Sequence, residues 1–429
     1  MTQELRTDYN HLLENIANEL DIAPSKYQQA VDSYETVGGY LKDGYYDGKY
    51  PGATAEPEIY TQGSFRLGTV VRPIREGKES DYDIDLVCEL QIDKQQTDPH
   101  TIKHMVGDRL KSHGTYEPMM DDEGRRCWTI QYAEDDGIGF HLDVLPGTPE
   151  ESSIKQGCVN LGVSPELADQ AIAITDRDED GLYDWTPSNP NGYADWFRGR
   201  MRVAYLLAEA EQRQQLYEAN QHLYASVAAV PDQLIKTPLQ RSIQILKRHR
   251  DECFAGHQWE KEKPISMIIT TLSAHLYEQE QDVLSALENI IAGLVHHAGL
   301  LTPGFRLEER YASKRLITRL DDGKWFIPNP VNPGENFADK WHKDNHRRAQ
   351  AFFQWVVWAQ QNLVEIMNQY GDIRGLGEKL EESFGSDLIG RAAKEVFIMG
   401  APTIITPSHD DTPQVQISDP SKPWADVEK

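Results

Sequence analysis

The sequence has few cysteines, and their spacing excludes two common ways of stabilising a small domain. Only four cysteines occur in 429 residues, and none forms a C-x-x-C pair: Cys88, Cys127, Cys158 and Cys253. Structural zinc sites and disulfide frameworks both depend on closely and regularly spaced cysteines. The four thiols are therefore expected to be reduced, and neither kind of site is predicted.

Long apolar runs are also missing. No uninterrupted apolar stretch approaches the roughly 20 residues that a membrane-spanning helix needs, and the first 20 residues lack the basic and apolar regions of a secretory signal. We therefore expect a cytoplasmic protein that makes no use of a membrane. With 39% hydrophobic and 26% charged residues, the composition is typical of a globular protein with two or three domains or one two-lobed body.

Basic residues are scarce relative to acidic ones. The chain has 43 Lys and Arg against 69 Asp and Glu, which gives a formal net charge of −26. Binding to a long polyanion depends on neutralising its phosphates with Lys and Arg, so the composition argues against DNA or long RNA as a partner. A nucleoside triphosphate is compatible with this charge, because metal ions and a few local cations can offset it inside a small cleft.

Two predicted strands carry the acidic residues that suggest chemistry. The segment DYDIDLV, residues 81–87, alternates strictly between polar and apolar positions, which predicts a half-buried strand. Its exposed face would carry Asp81, Asp83 and Asp85. Residues 125–147 predict a hairpin with its turn at Asp135-Asp136-Gly137, and Asp143 would point away from the apolar face of that hairpin.

Carboxylates at this spacing suit nucleotidyl transfer. Residues two apart on a strand lie roughly 6.5 Å apart on one face, so Asp83 and Asp85 could reach the two metal ions that such chemistry uses, with Asp143 completing the site. The ions would be two Mg²⁺ or Mn²⁺. Upstream, Gly63-Ser64 predicts a turn where N–H groups and a hydroxyl can approach phosphates. Each feature alone is common on surfaces and in turns, but their coincidence in this order favours a catalytic site.

These motifs resemble a known family. QGSFRLGTVVRP, then DYDIDLV, then Asp143 resembles the Gly-Ser, Asp-x-Asp and distal Asp signature of polymerase-β-like nucleotidyltransferases. The match is closer to the bacterial cGAS/DncV-like nucleotidyltransferases, the CD-NTases of CBASS anti-phage systems. The motifs span about residues 61–146, and the spacer between Ser64 and Asp83 is longer than in minimal members of the superfamily.

The resemblance implies an α+β fold. We expect a polymerase-β-like core of mixed β-sheet with helices, a C-terminal helical lobe, and a central cleft between the two lobes. The predicted divisions are a catalytic lobe with an N-terminal helix at 1–230 and a helical lobe at 231–400. The final 29 residues, 401–429, carry five prolines and no periodic apolar pattern, which predicts a mostly disordered tail.

In this family a lysine and a serine of the helical lobe contact the donor triphosphate, and Lys247 and Ser266 match them. Thr237 and Pro238 predict the start of the helix that carries Lys247. A second helix is predicted from Pro264, with Ser266 in its first turn, where free N–H groups favour an anion. The alternative for Lys247 is a solvated charge. Two further candidates for phosphate contact are Arg66 and Arg72.

The activity implied by the resemblance is cyclic oligonucleotide synthesis. ATP and GTP are the expected substrates, the product would be a cyclic di- or trinucleotide second messenger, and effector and regulatory proteins of the defence system are the expected partners. A nucleotidyltransferase that modifies a protein or RNA would use the same three carboxylates, and a non-catalytic nucleotide-binding protein could keep the fold. Net charge weighs against RNA, and retention of all three carboxylates favours an enzyme.

The rest of the chain is predicted from its periodicity. Helices are expected over residues 25–44, 282–297 and 351–369, and the aromatic cluster in the last of these favours a core position. That cluster comprises Phe352, Phe353, Trp355 and Trp358. The stretch 146–231 is expected to begin as irregular chain, to become helical around 194–225, and to connect the two lobes. Residues 329–341 are expected to have a structural role.

Overall fold

The computed structural model describes residues 2–44, 55–72, 74–75, 78–79, 82–132, 139–302 and 305–399. Three features predicted above lie outside these ranges, namely Asp81, the Asp135-Asp136-Gly137 turn and the tail at 401–429. Within the described ranges, a mixed β-sheet forms mainly from the first half of the chain, and the second half is mainly helical.

The first half of the chain contains two helices followed by alternating strands and helices. In chain order these are α1 (Gln3–Glu19), α2 (Pro24–Asp43), β1 (Glu58–Gln62), α3 (Gly63–Leu67), β2 (Ile74–Arg75), β3 (Lys78–Glu79), β4 (Tyr82–Glu89), α4 (Pro99–Lys111), β5 (Trp128–Tyr132), β6 (Phe140–Pro149), α5 (Ser152–Asn160), α6 (Pro165–Ala168), β7 (Ile172–Arg177), β8 (Tyr183–Ser188) and α7 (Pro190–Ala219). The helix predicted over 25–44 is therefore present as α2.

The second half contains helices and short two-stranded pairs. In chain order these are α8 (Pro238–Phe254), α9 (Ser266–Leu276), α10 (Val283–Ala298), α11 (Glu309–Ala312), β9 (Thr318–Arg319), β10 (Trp325–Phe326), β11 (Pro328–Asn329), β12 (Asn332–Asn336), α12 (Arg347–Ala359), α13 (Ile373–Phe384) and α14 (Ser386–Met399). The helix predicted over 351–369 is present, but it changes to π geometry over Gln360–Val364 and to 3-10 geometry over Glu365–Asn368.

The main sheet has the order β1-β4-β6-β7-β8, with β5 paired to β6. β4 and β6 are parallel, and the other pairs are antiparallel. Strand β4 alternates as predicted at its start, because Tyr82 and Ile84 are buried while Asp83 is exposed. The prediction that Asp85 is exposed is wrong: it is half-buried, and the strand is buried from Leu86 onward, because β1 and β6 flank β4 on both sides. The hairpin of β5 and β6 is also present. The sheet therefore holds the two acidic strands side by side.

The prediction that the chain after Pro146 begins as an irregular segment is wrong. β6 continues to Pro149, and β7 and β8 extend the sheet by antiparallel pairing. No alternating pattern marked them, because β7 has consecutive buried residues from Ile172 to Ile174 and β8 is a mostly half-exposed strand at the edge. The helix expected near 194 begins earlier, at Pro190, where the Asn189 side chain accepts a hydrogen bond from the backbone N–H of Gly192.

The two helices expected to contact phosphate differ in how well their starts were predicted. α8 starts as expected, with Thr237 and Gln240 forming a reciprocal capping box and Pro238 at the first helical position. α9 starts at Ser266 rather than Pro264, because Ile265 is extended and precedes the helix as its cap. The carbonyl of Pro264 instead accepts a hydrogen bond from Arg250. Ser266 is thereby the first residue of its helix.

The helical core is built around α10, which packs against α1, α8, α9 and α12. By length and composition, the segment Val283–Leu301 could cross a membrane, but half of its most apolar window is buried inside the protein. Burial of this kind is typical of a core helix in a globular protein. Phe352, Phe353 and Trp355 are fully buried in the same core, and Trp358 packs against it. The boundaries at 230 and 400 stay predictions, and α1 shares this core with the C-terminal helices.

Candidate active site

The three predicted carboxylates lie on two neighbouring parallel strands. In the register of β4 with β6, Asp85 is directly opposite Asp143, and Asp83 is directly opposite His141. The Asp83 carboxylate lies 3.3 Å from Nδ1 of His141 and is 68% exposed. Thr129 on β5 donates a hydrogen bond of 2.5 Å to Asp143. The sheet therefore places all three carboxylates at one location and fixes the orientation of Asp143.

The carboxylates repel one another. Burial, followed by the charges of Asp143 and Asp83, raises the pKa of Asp85 to about 7. Burial, opposed by the hydrogen bond from Thr129, also raises the pKa of Asp143. Both shifts mean that full ionisation of the cluster is unfavourable until a positive charge joins it.

The donor set fits a divalent cation by type and by charge. Mg²⁺ prefers oxygen ligands and is bound through carboxylates in sites that also hold phosphates. Across the described ranges, no group of three or more Asp, Glu, His or Cys side chains lies close enough together to hold a metal ion. A cation between Asp83, Asp85 and Asp143 would remove the repulsion that raises the pKa of Asp85.

Gly63 brings the Gly-Ser motif against the carboxylates. It follows β1 directly, has φ of +64° and begins the one-turn helix α3, so the predicted turn is a short helical turn. A Cβ atom at this position would lie 2.3 Å from a carboxylate oxygen of Asp85. Both the left-handed backbone and the close approach therefore require glycine. Ser64 follows immediately and lies in the first turn of α3.

The last residue of α3 and the three residues after it are held by side chains of the helical lobe. Four hydrogen bonds reach the successive backbone carbonyls of Leu67, Gly68, Thr69 and Val70. Their donors are Gln240, Lys236, Lys247 and Gln244, in that order, at distances of 2.8 to 3.0 Å. All four donors are buried, which shields these bonds from bulk water and strengthens them. We refer to residues 67–70 as the strap.

Lys247 is part of this arrangement and is not a solvated charge. It is 3% exposed, and its ammonium group donates to both the carbonyl and the hydroxyl of Thr69. Burial, followed by the charge of Arg250, lowers its pKa to about 7. The charge of Asp85 opposes that shift, so the ammonium group and the carboxylate cluster interact electrostatically.

Ser266 is connected to the same region through Arg250. The guanidinium of Arg250 donates to the hydroxyl of Ser266 at 3.0 Å and pairs with Asp251. The Arg250 charge also acts on Lys247. The two residues predicted to contact the triphosphate therefore share Arg250 as a neighbour.

Arg66 and Arg72, the other two candidates for phosphate contact, are engaged with the backbone. Arg66 donates to the carbonyl of Thr61 and lies over the ring of Tyr60. Arg72 donates to the carbonyl of Asp21. Neither contact involves the carboxylates of β4 and β6.

Comparison with known proteins identifies the domain that carries the three carboxylates. Residues 57–146 match the family model described as "Cyclic GMP-AMP synthase DncV-like, nucleotidyltransferase domain". The c-di-GMP synthase of Roseivirga ehrenbergii is 29% identical over 80% of this chain and 75% of its own length. The cyclic dinucleotide synthase CdnG of Bradyrhizobium diazoefficiens is 24% identical over 89% of this chain and 82% of its own. These matches confirm the resemblance to the bacterial cGAS/DncV-like nucleotidyltransferases: residues 57–146 carry the nucleotidyltransferase domain of that family, and both relatives are similar over most of the chain.

The fold agrees with this assignment. The structure of Bradyrhizobium diazoefficiens CdnG in complex with GTP superimposes with a TM-score of 0.61 at 21% identity, covering 90% of this chain and 98% of that one. The α+β class, with its polymerase-β-like core and helical lobe, is thereby confirmed. With the matched domain at residues 57–146 and its similarity to two synthases, the chain is a nucleotidyltransferase.

Sequence reasoning missed three residues beside the site. Thr129 could have been found, because it alternates with Trp128 and Ile130 and so faces the same side of the hairpin as Asp143. Thr69 and Arg250 had no such signal. Their importance depends on contacts with Lys247 and Ser266 across 178 and 16 residues of chain.

The raised pKa of Asp85 predicts a stability change on removing its charge. The folded protein holds this proton more tightly than the unfolded chain, so stability is lost as pH rises from about 4 through 7. In metal-free buffer at about pH 8, Asp85→Asn should raise Tm by roughly 1–3 °C, and the gain should shrink at about pH 5. Thermal denaturation followed by circular dichroism measures both values.

The matched control is Asp108→Asn, which removes an exposed carboxylate on α4 and should leave Tm unchanged at both pH values. An Asp85→Asn protein that melts below the wild type in metal-free buffer at both pH values would contradict the proposed repulsion.

Proposed function

We propose that the protein is a cyclic oligonucleotide synthase. It joins nucleoside triphosphates, ATP and GTP first, into a cyclic di- or trinucleotide and releases pyrophosphate. The observation that carries the proposal is the contact geometry of the site, where Asp85 faces Asp143 across parallel strands and touches Gly63. The names of the two curated relatives, which are cyclic dinucleotide synthases, support the choice of product.

Asp83, Asp85 and Asp143 would hold two Mg²⁺ or Mn²⁺ ions. Such ions neutralise the triphosphate and favour ionisation of the attacking hydroxyl. Asp143 would lie nearest the acceptor hydroxyl, and its orientation is fixed by the hydrogen bond from Thr129. The raised pKa of Asp85 supports a site that needs added positive charge before all three groups ionise.

Gly63, Ser64, Lys247 and Ser266 would bind the donor triphosphate. An ammonium group has three donor hydrogens, and Lys247 uses two of them on Thr69. The third is then free to bond a phosphate oxygen while the first two keep the ammonium group in place. A bound phosphate would also raise the pKa of Lys247, because an adjacent anion favours its charged form. Ser266, as the first residue of α9, presents its backbone N–H at the positive end of a helix.

A ring can form at one such site by successive transfers, and a cyclic dinucleotide needs two. The linear intermediate would rebind with its remaining triphosphate at Ser64 and Lys247, and a hydroxyl at its other end would attack. The formal net charge of −26 opposes retention of a long polyanion and supports release of a small product. We place this activity in cytoplasmic anti-phage signalling, with effector and regulatory proteins as partners, on the strength of the family resemblance.

Loss of Lys247 should weaken use of every nucleotide. Lys247→Ala removes a charge-assisted contact worth on the order of 1.5–3 kcal/mol, so kcat/KM should fall by about 10- to 150-fold with each base. Arg248→Ala is the matched control, because Arg248 is equally buried but pairs with Glu252. Steady-state kinetics with each nucleotide measure kcat/KM. A loss confined to one nucleotide would contradict the prediction and mean that Lys247 contacts the base.

The product itself tests the proposed function. Purified protein incubated with labelled ATP, GTP, CTP and UTP plus Mg²⁺ or Mn²⁺ should give phosphatase-resistant products whose masses match closed rings. Asp143→Asn should stop both transfers, so neither linear intermediate nor ring should accumulate, whereas Asp108→Asn should behave as the wild type. Mass spectra dominated by ladders of linear oligomers, or by a nucleotidylated protein, would refute ring synthesis.

A further inference from the structure

A cavity of about 170 Å³ lies between α3 and α7, apart from the carboxylate site. Its principal lining residues are Arg66, Leu67, Arg198, Met201, Arg202 and Tyr205. None of Asp83, Asp85, Asp143 or Lys247 contributes to the lining. Three arginines around one small cavity are unexpected in a chain whose formal net charge is −26.

Arg66 lines this cavity and has one unpaired hydrogen-bond donor. One guanidinium nitrogen donates to the carbonyl of Thr61, and the group lies 5.7 Å from the ring centre of Tyr60. Its Nε, however, is buried and has no hydrogen-bond partner in the described part of the chain. An unpaired buried guanidinium nitrogen is costly unless an acceptor is supplied.

The positive charges at the cavity are incompletely neutralised. Arg198 and Arg202 are four residues apart on α7 and so lie on one face of the helix. Burial and then the charge of Arg198 lower the pKa of Arg66. Asp195 is 3.2 Å from Arg198. Arg202 makes no ion pair with any described residue.

Two further carboxylates share one arginine beside the cavity. Arg213 pairs with Asp232, which lines the cavity, at 2.6 Å and with Glu209 at 2.9 Å. With Asp195 included, four arginines face three carboxylates. The cavity is therefore left with a net excess of guanidinium charge, and an anion that accepted hydrogen bonds from these groups would offset it.

The remaining wall of the cavity is apolar. Leu67, Met201 and Tyr205 line it, and Leu206 at its edge is 61% exposed. A volume of about 170 Å³ has room for one ring-sized group, but it is smaller than the roughly 300–1,000 Å³ of sites that enclose a whole drug-sized ligand. Such a wall favours a ligand that has an apolar part beside its charge.

We propose that this cavity binds a small organic anion, in which one phosphate or carboxylate group is attached to a ring-sized apolar group. The guanidinium groups of Arg66, Arg198 and Arg202 would bond the anionic group, since planar guanidinium matches both phosphate and carboxylate. Arg66 and Ser64 belong to the same one-turn helix α3. The ligand would therefore lie within one helical turn of the catalytic Gly-Ser motif.

Isothermal titration calorimetry with phenyl phosphate, benzoate and inorganic phosphate tests the proposal. The titrations use full-length protein in EDTA at constant ionic strength, because the metal-free carboxylate site then repels anions. We expect saturable binding of one molecule of phenyl phosphate or benzoate per chain. Arg198→Ala/Arg202→Ala should weaken it at least about tenfold, since each charge-assisted bond is worth more than that factor. Arg374→Ala, which removes an exposed arginine on α13, should not.

The outcomes separate the possible ligands. Tighter binding of phenyl phosphate identifies a phosphate ligand, and tighter binding of benzoate identifies a carboxylate. The proposal is overturned if neither probe binds below about 10 mM, if the double variant binds them as the wild type does, or if inorganic phosphate binds as tightly as phenyl phosphate. Ring synthesis is measured in a separate assay, so failure here leaves the proposed function unaffected.

Discussion

The site depends on one interaction, in which the helical lobe holds the strap by its backbone. Gln240, Lys236, Lys247 and Gln244 donate to four successive carbonyls. The strap begins at the last residue of α3, and the backbone N–H of Thr69 donates to the carbonyl of Ser64. The position of Ser64 is therefore fixed both by the sheet through Gly63 and by the helical lobe through the strap. A shift of either lobe would change the distance between the Gly-Ser motif and the carboxylates.

The second constraint is electrostatic. Parallel pairing of β4 with β6 puts Asp85 opposite Asp143 whatever the ionic state of the two groups. The sheet thus holds together charges that would separate in a flexible loop, and the raised pKa of Asp85 reflects the resulting repulsion. The charged form of Lys247 is also disfavoured, because burial and the charge of Arg250 lower its pKa. Metal ions would stabilise the ionised carboxylates, and a bound triphosphate would stabilise the charged form of Lys247. The ionisation of these groups is therefore coupled to substrate binding.

Local sequence patterns predicted the parts of this arrangement that lie on single elements. Alternation identified β4, and Thr237 with Pro238 identified the start of α8. The strap bonds could not be predicted, because their acceptors are backbone carbonyls, which every residue possesses. β7 was missed because both of its faces are buried, so it lacks alternation. The role of Arg250 follows from a contact with Ser266 that depends on how α8 and α9 pack.

The proposed function requires Asp83, Asp85 and Asp143 to hold divalent cations for a bound triphosphate. Mn²⁺ binding in the presence of a non-hydrolysable ATP analogue can be followed by electron paramagnetic resonance. The wild type should bind two ions per chain beyond those bound by free nucleotide, and Asp85→Asn should lose both or bind them far more weakly. Equal Mn²⁺ binding by the wild type and Asp85→Asn would contradict the proposed cation site, whatever the product assay returned.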